Sequence, residues 1–442
     1  MPDIVFPPNF RWGAATAAHQ VEGLNTNNDW WAWEQQAGRI KRGHRSGLAC
    51  DWWAHAEADF DRAVEMGLNA MRLSVEWSRI EPRPGEFDPL ALERYAAMLR
   101  GLRERGLEPM VTLHHFTNPL WLAERGGWEN PETIPLFARF AGRVVEALGA
   151  YCDLWCTVNE INVYGYAGYS DGVFPPGKRN VSLAMRVIRH MLLGHAAAYR
   201  AIHAAQPQAR VGLAHNMRVL DPANPRSPLD RLASWLPART FNELLLIAVA
   251  DGRWALPLGT GAVPELRHTL DWFGLNYYCR SHVAFDLRYT QTLLARKFSD
   301  DRYELLEGDY GEYYPVGIYR FLMRLKDLGM PLYVTENGCP DSSDDQRPRY
   351  LVEHLHQIWR AIQAGCPVQG YYHWTLVDNF EWAEGWALPF GLIALDPQTQ
   401  ARTLRRSGEL YRDIAHAGAI DLEMVQKHVP GFAWPENARC ET

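Results

Sequence analysis

Eight short apolar runs recur along the chain, and each is separated from the next by a longer segment with helical signals. They are Phe10–Thr16, Leu68–Val75, Leu107–His115, Asp153–Asn159, Arg210–Asn216, Asp271–Tyr277, Pro331–Glu336 and Val368–Thr375. Nearly continuous apolar runs of this length suit parallel strands buried on both faces. The clearest helix begins at Asp88-Pro89, an N-cap followed by proline at the first helical position. Leu92, Tyr95, Leu99 and Leu102 then fall on one face, and Gly106 stops the helix. Segments 133–149, 182–205, 316–329 and 348–364 read similarly. Eight strands alternating with helices predict an α/β fold of the (β/α)8 TIM-barrel type. The rival is an open doubly wound sheet, which usually brings a Gly-rich phosphate loop after its first strand. Here the first run leads into Ala14-Ala15-Thr16-Ala17-Ala18-His19-Gln20, which is no such loop. The connections 217–267 and 279–312 are long and follow strands, so both belong at the C-terminal mouth of the barrel. No linker divides the chain, and a single catalytic barrel domain over residues 1–442 is expected.

Composition narrows the partners. The formal charge is −7 with no basic block, which argues against nucleic acid. No apolar run approaches the length of a membrane span. The stretch Met1–Phe10 lacks a basic region followed by an apolar core, and the seven cysteines form no CxxC pair. Reduced thiols and a cytoplasmic location are the expectation. Nothing in the sequence signals an oligomeric state. The 18 Trp and 19 Tyr fit a large core first, and a sugar site, where pyranose faces stack on aromatic rings, only second.

Polar residues gather at one end of the runs. His114 and His115 end the third, Asn159 and Glu160 the fourth, Asn216 the fifth, Asn276, Tyr277 and Tyr278 the sixth, and Glu336 the seventh. The eighth passes through Trp374 towards Asp378, Asn379, Glu381 and Trp382, and Arg72 lies inside the second. In a barrel these ends converge on the face where active sites sit. A carboxylate at the end of a buried strand is a poor core residue, because an unpaired buried charge costs several kcal/mol or takes up a proton. Two of them around one pocket, Glu160 and Glu336, are the equipment for cleaving a glycosidic bond.

The distribution resembles glycoside hydrolase family one, the β-glucosidase and β-galactosidase family, from Phe10 to about Ile414. Phe10–Gly23 looks like the family's opening motif, and Thr157-Val158-Asn159-Glu160 is similar to its acid/base motif. Val334-Thr335-Glu336-Asn337-Gly338 is similar to its nucleophile motif, and Asp378–Gly385 to its sugar-clamping loop. The resemblance implies Glu336 as nucleophile and Glu160 as general acid/base. It implies sugar contacts from Gln20, His115, Asn159, Glu381 and Trp382, with Trp374 as the stacking floor. Arg72, Tyr278 and Asn276 would support the nucleophile. Physical chemistry agrees: a neighbouring guanidinium and a phenol hydrogen bond favour an ionised carboxylate, whereas burial beside a like charge keeps a second one protonated. No cofactor or metal is implied. Retention requires carboxyls about 5–5.5 Å apart, and that is the geometry expected.

The expected substrates are small-molecule β-glycosides and oligosaccharides with a terminal non-reducing β-D-glucosyl, β-galactosyl or β-fucosyl residue. The alternatives are a non-catalytic sugar-binding relative, which typically lacks one glutamate, and a transglycosylating variant. A 6-phospho-β-glycosidase conflicts with the Glu381-Trp382 pair, since a carboxylate there repels a 6-phosphate. Three departures from the family pattern stand out: Ile161 where proline is usual, Phe116 where tryptophan is usual, and a missing tryptophan within Asp309–Pro315 that in the family shapes the leaving-group site.

Overall fold

The computed structural model describes residues 4–289 and 294–434; the ends of the expected 1–442 domain and part of the 279–312 connection lie outside them. Eight parallel strands close into a barrel in sequential order. They are β1 (Arg11–Ala15), β2 (Ala70–Ser74), β3 (Glu108–His114), β4 (Leu154–Asn159), β5 (Arg210–Asn216), β6 (Trp272–Asn276), β7 (Leu332–Asn337) and β8 (Val368–Trp374). Each falls within or against one of the eight apolar runs. Almost every strand residue is buried, because helices cover the outside and the strands' own side chains fill the inside.

The helices follow their sequence signals. The Asp88 carboxylate accepts from the Leu90 and Ala91 amides at 2.8 and 3.4 Å, and Pro89 opens the helix Pro89–Glu104. Beyond its end Gly106 takes φ +75°, a conformation other residues adopt at a cost. In Thr133–Leu148, Phe137, Phe140, Ala141, Val144, Val145 and Leu148 form one buried stripe, which packs against the long helix Val181–Ala205.

The two long connections are not loose. Val219–Pro222 pairs in parallel with Arg280–Phe285, which pairs antiparallel with Ala295–Phe298. This three-stranded sheet stands outside the barrel, above its mouth, with the helix Pro228–Ala238 against it.

At the opposite end a ring of charge fills the barrel floor. Arg11, Glu108 and Arg210 are the first residues of β1, β3 and β5. Glu108 pairs with Arg11 on one oxygen and with Arg210 at 2.8 Å on the other, and Arg210 reaches Asp153 at 3.0 Å. Burial pushes the Glu108 carboxyl up, and hydrogen bonds from Arg11 and Arg210 more than offset this, leaving it below its ordinary 4.5. A depressed carboxylate contributes stability above its unfolded pKa and loses that contribution as pH falls through the lower, folded value. Glu108→Gln is therefore expected to lower stability at pH 7 by about 1–3 kcal/mol, read as a shift in denaturation midpoint. The gap to the parent closes as the pH drops well below 4.5. A gap of unchanged size in acid would contradict this account.

Candidate active site

Glu336 lies near the end of β7, 3% exposed, and its two oxygens have different partners. Arg72, fully buried on β2, donates from Nη1 to Glu336 Oε1 at 2.5 Å. The Tyr278 hydroxyl donates to Oε2 at 2.5 Å. The other guanidinium nitrogen, Nη2, donates to Asn159 Oδ1 at 2.7 Å, and Nη1 also reaches the Thr335 carbonyl at 3.1 Å. Gly338 is required by the packing next to this: a Cβ there would meet the Trp374 carbonyl oxygen at 2.0 Å.

Glu160 closes β4 with φ +51°, a strained value for a side-chain-bearing residue, and the helix Ile161–Tyr169 starts immediately after it. That turn keeps the side chain in the cavity while Ile161, fully buried, takes the first helical position. Glu160 Oε1 accepts from Asn216 and from Asn276, each at 2.8 Å. Burial first, and the Glu336 charge second, raise its carboxyl to about 8; the two amides act in the opposite sense. The two carboxylates thus occupy one cavity in contrasting environments.

Asn276 departs from the expected role. Its backbone lies in register with Glu336 on the neighbouring strand, yet its amide does not touch that residue's carboxylate. Thr335 Oγ1 donates to Asn276 Oδ1 at 2.6 Å, which turns the NH2 towards Asn159 Oδ1 at 3.1 Å and Glu160. It therefore supports Glu160, jointly with Asn216.

Of the remaining expected residues, His115, Asn159, Trp374, Glu381 and Trp382 line the cavity, and Gln20 is buried against the clamp loop. His115, on the loop after β3, meets the Asn159 amide at 3.1 Å through Nε2. Its ring stacks between Trp374 and Trp382, both centroids at 5.9 Å. Gln20 donates through Nε2 to Asn379 Oδ1 and the Phe380 carbonyl at 3.0 Å, and to Glu381 Oε2 at 3.1 Å. Burial, then the Glu336 charge, raises the Glu381 carboxyl to about 8, while Gln20 and Trp374 hydrogen bonds oppose this. Gln20 Oε1 and His115 Nδ1 are buried without a hydrogen-bond partner. Asp378 braces the clamp loop from behind, paired twice with Arg405 at 2.7 and 2.8 Å.

Two polar strand ends face away from the site. The His114 ring meets Asn118 and Trp128, and the Tyr277 hydroxyl donates to the Tyr314 carbonyl at 2.6 Å. Alternation along a strand explains both, since their neighbours His115, Asn276 and Tyr278 point inward. Phe116 keeps the bulk of the usual tryptophan, packing edge-on to Trp382 at 5.1 Å. Tyr310 stands in the segment that lost a tryptophan, edge-on to Tyr278 at 5.7 Å and to Phe390 at 5.2 Å. It lines the cavity, as do Phe174, Arg218, Phe241 and Lys297, none of which the sequence motifs marked. The whole space measures about 620 Å³.

A closed barrel with two carboxyls of opposite character and a stacked aromatic floor at one mouth defines the protein as a glycoside hydrolase. The sequence profile described as Glycosyl hydrolase family 1 matches residues 3–419, and the chain belongs to that family. Among its relatives, "Beta-glucosidase A" of Thermotoga maritima is 30% identical over 94% of this chain and 99% of its own length. "Beta-galactosidase" of Pyrococcus woesei is 30% identical over 97% of this chain and 100% of its own. The solved "beta-glycosidase from Pyrococcus horikoshii" superposes with a TM-score of 0.89 at 34% identity, covering 96% of this chain and 98% of that one.

The proximity of the two carboxylates can be measured in solution. In Glu336→Gln the carboxyl of Glu160 is expected to titrate below its parent value of about 8, because the neighbouring charge is gone while the burial remains. Carbon-13 NMR of carboxyl-labelled glutamate reads this directly, and an unmoved titration would separate the two groups electrostatically.

Proposed function

We propose that this family 1 enzyme is a retaining β-glycosidase that hydrolyses terminal β-D-glucosyl residues, with β-galactosides and β-fucosides as further substrates. Glu336 acts as nucleophile and Glu160 as acid/base. The observation that carries the reading is the pairing of environments: Glu336 accepts from Arg72 and Tyr278, while Glu160, in the same cavity, stays protonated to about pH 8. Glu160 protonates the leaving oxygen as Glu336 attacks the anomeric carbon from the opposite face. Forming the ester removes the Glu336 charge, so the Glu160 pKa falls and its carboxylate takes a proton from water. Relatives are named for β-glucosides and for β-galactosides, which supports both sugars. A solved Thermotoga maritima relative is complexed with deoxynojirimycin, which supports a sugar-shaped floor here. We also read the enzyme as cytoplasmic, on the six described cysteines, all buried free thiols.

Glu336→Gly is expected to abolish hydrolysis, and azide or formate to restore part of it with an α-configured product. In the parent, proton NMR within the first minutes should show the β-anomer of glucose. Initial α-anomer would identify an inverting enzyme and sink the double-displacement reading. Activity in kcat/KM should fall above about pH 8 as Glu160 loses its proton.

Glu381→Gln is expected to reduce kcat/KM on glucosides by up to about tenfold near neutral pH, where the carboxyl is protonated and its hydrogen bond to a hydroxyl contributes about 0.5–1.5 kcal/mol, and by more above pH 8, where it is ionised. The parent should leave 6-phosphoglucosides uncleaved; efficient turnover of one would overturn the substrate class.

A further inference from the structure

Outward from Glu160, the cavity opens onto one face of the three-stranded outer sheet. Leu220 on one strand, with Arg218 just before its start, and Ala295 and Lys297 on another present side chains to the same space. Val283 stands between, paired across the sheet with Lys297, and all five residues line the cavity. Arg218 lies two residues beyond Asn216, whose amide holds Glu160, in the short link between the barrel strand and the outer sheet. Glu160 is the group that faces the leaving oxygen in the proposed mechanism. This face therefore lies on the leaving-group side.

Its chemistry joins an apolar surface to two cations without a counter-ion. Arg218 donates from Nη2 to the Tyr310 carbonyl at 3.2 Å, and neither Arg218 nor Lys297 forms an ion pair among the described residues. Chiefly the Arg218 charge lowers the Lys297 ammonium to about 8, at the rim of the cavity where the lysine is otherwise exposed. Asp171, also on the cavity wall, acts in the opposite sense without pairing with the lysine. The cavity's other carboxylates, Glu160, Glu336 and Glu381, belong to the sugar end. Two like charges held together repel, and an anion set between them relieves that repulsion. Leu220, Val283 and Ala295 offer the same ligand an apolar bed, with Phe241 and Leu236 lining the cavity too.

We infer that the leaving-group side of this cavity selects aglycones that join an apolar body to an anionic group, such as an arylalkanoate. The inference rests on the glycosidase reading, because it treats the sheet face as the aglycone's seat. A matched substrate pair tests it: 4-(2-carboxyethyl)phenyl β-D-glucoside and its primary amide, whose phenols leave with similar ease. The acid is expected to exceed the amide in kcat/KM by about fivefold or more at low salt. That ratio should shrink with added salt and fall towards one in Lys297→Met and in Arg218→Met. Calorimetry with the free phenols, 3-(4-hydroxyphenyl)propionate and its amide, reads the same preference without turnover. An enzyme inactive on both glucosides would thus sink the glycosidase reading and leave the anion preference independently measured. Should Arg218→Met fail to fold, Lys297→Met decides, since Lys297 sits on the outermost strand of the outer sheet, at the open rim of the cavity, and is solvent-exposed. Equal values for acid and amide in the parent, or a preference that survives substitution of Lys297, overturns the inference.

Discussion

The centre of this barrel is organised by a buried guanidinium. Arg72 cannot shed its proton, so its burial on β2 demands acceptors from across the barrel. They come from β4, as Asn159, and from β7, as the Thr335 carbonyl and Glu336. One charge thereby ties three non-adjacent strands together at the depth where bond cleavage is proposed. The groups that satisfy Arg72 are also those assigned to the reaction, which makes the site costly to dismantle by single substitution: removing Glu336 strands a buried cation.

From that anchor, the asymmetry between the carboxyls follows with few additional parts. Asn159 accepts from Arg72 and from Asn276, and Asn276 in turn donates to Glu160. Neutral amides thus separate the guanidinium from the second carboxyl. Glu336 meets a cation directly, whereas Glu160 meets only amide dipoles, burial and a like charge. A difference in immediate neighbours, within one shared hydrogen-bond chain, gives the two carboxyls contrasting surroundings, and in those of Glu160 the proton is held to about pH 8.

Much of this was legible in the sequence because the relevant signals are local. A buried parallel strand is a short apolar run, and all eight runs became strands. Carboxylates at strand ends have no structural excuse, so Glu160 and Glu336 stood out. Other features depended on contacts that no local pattern encodes. The aim of the Asn276 amide is set by a hydroxyl on the adjacent strand, Thr335 Oγ1, so its allegiance to Glu160 could not be read from spacing. The outer sheet joins Val219–Pro222 to Arg280–Phe285, segments about sixty residues apart whose short runs look like connection. Arg218 and Lys297 belong to no motif, and both line the cavity only because the outer sheet stands beside its mouth.

The outer sheet has a consequence for how such an enzyme diverges. Its three strands hydrogen-bond to one another and to no barrel strand. Register in the barrel, which sets Glu160 against Glu336, is therefore insulated from changes in that sheet. Two of its strands begin within three residues of Asn216 and Tyr278, which hold the glutamates, whereas the third, Ala295–Phe298, is tied to neither. Changes to the leaving-group wall that spare the centre therefore have their freest ground on that outermost strand.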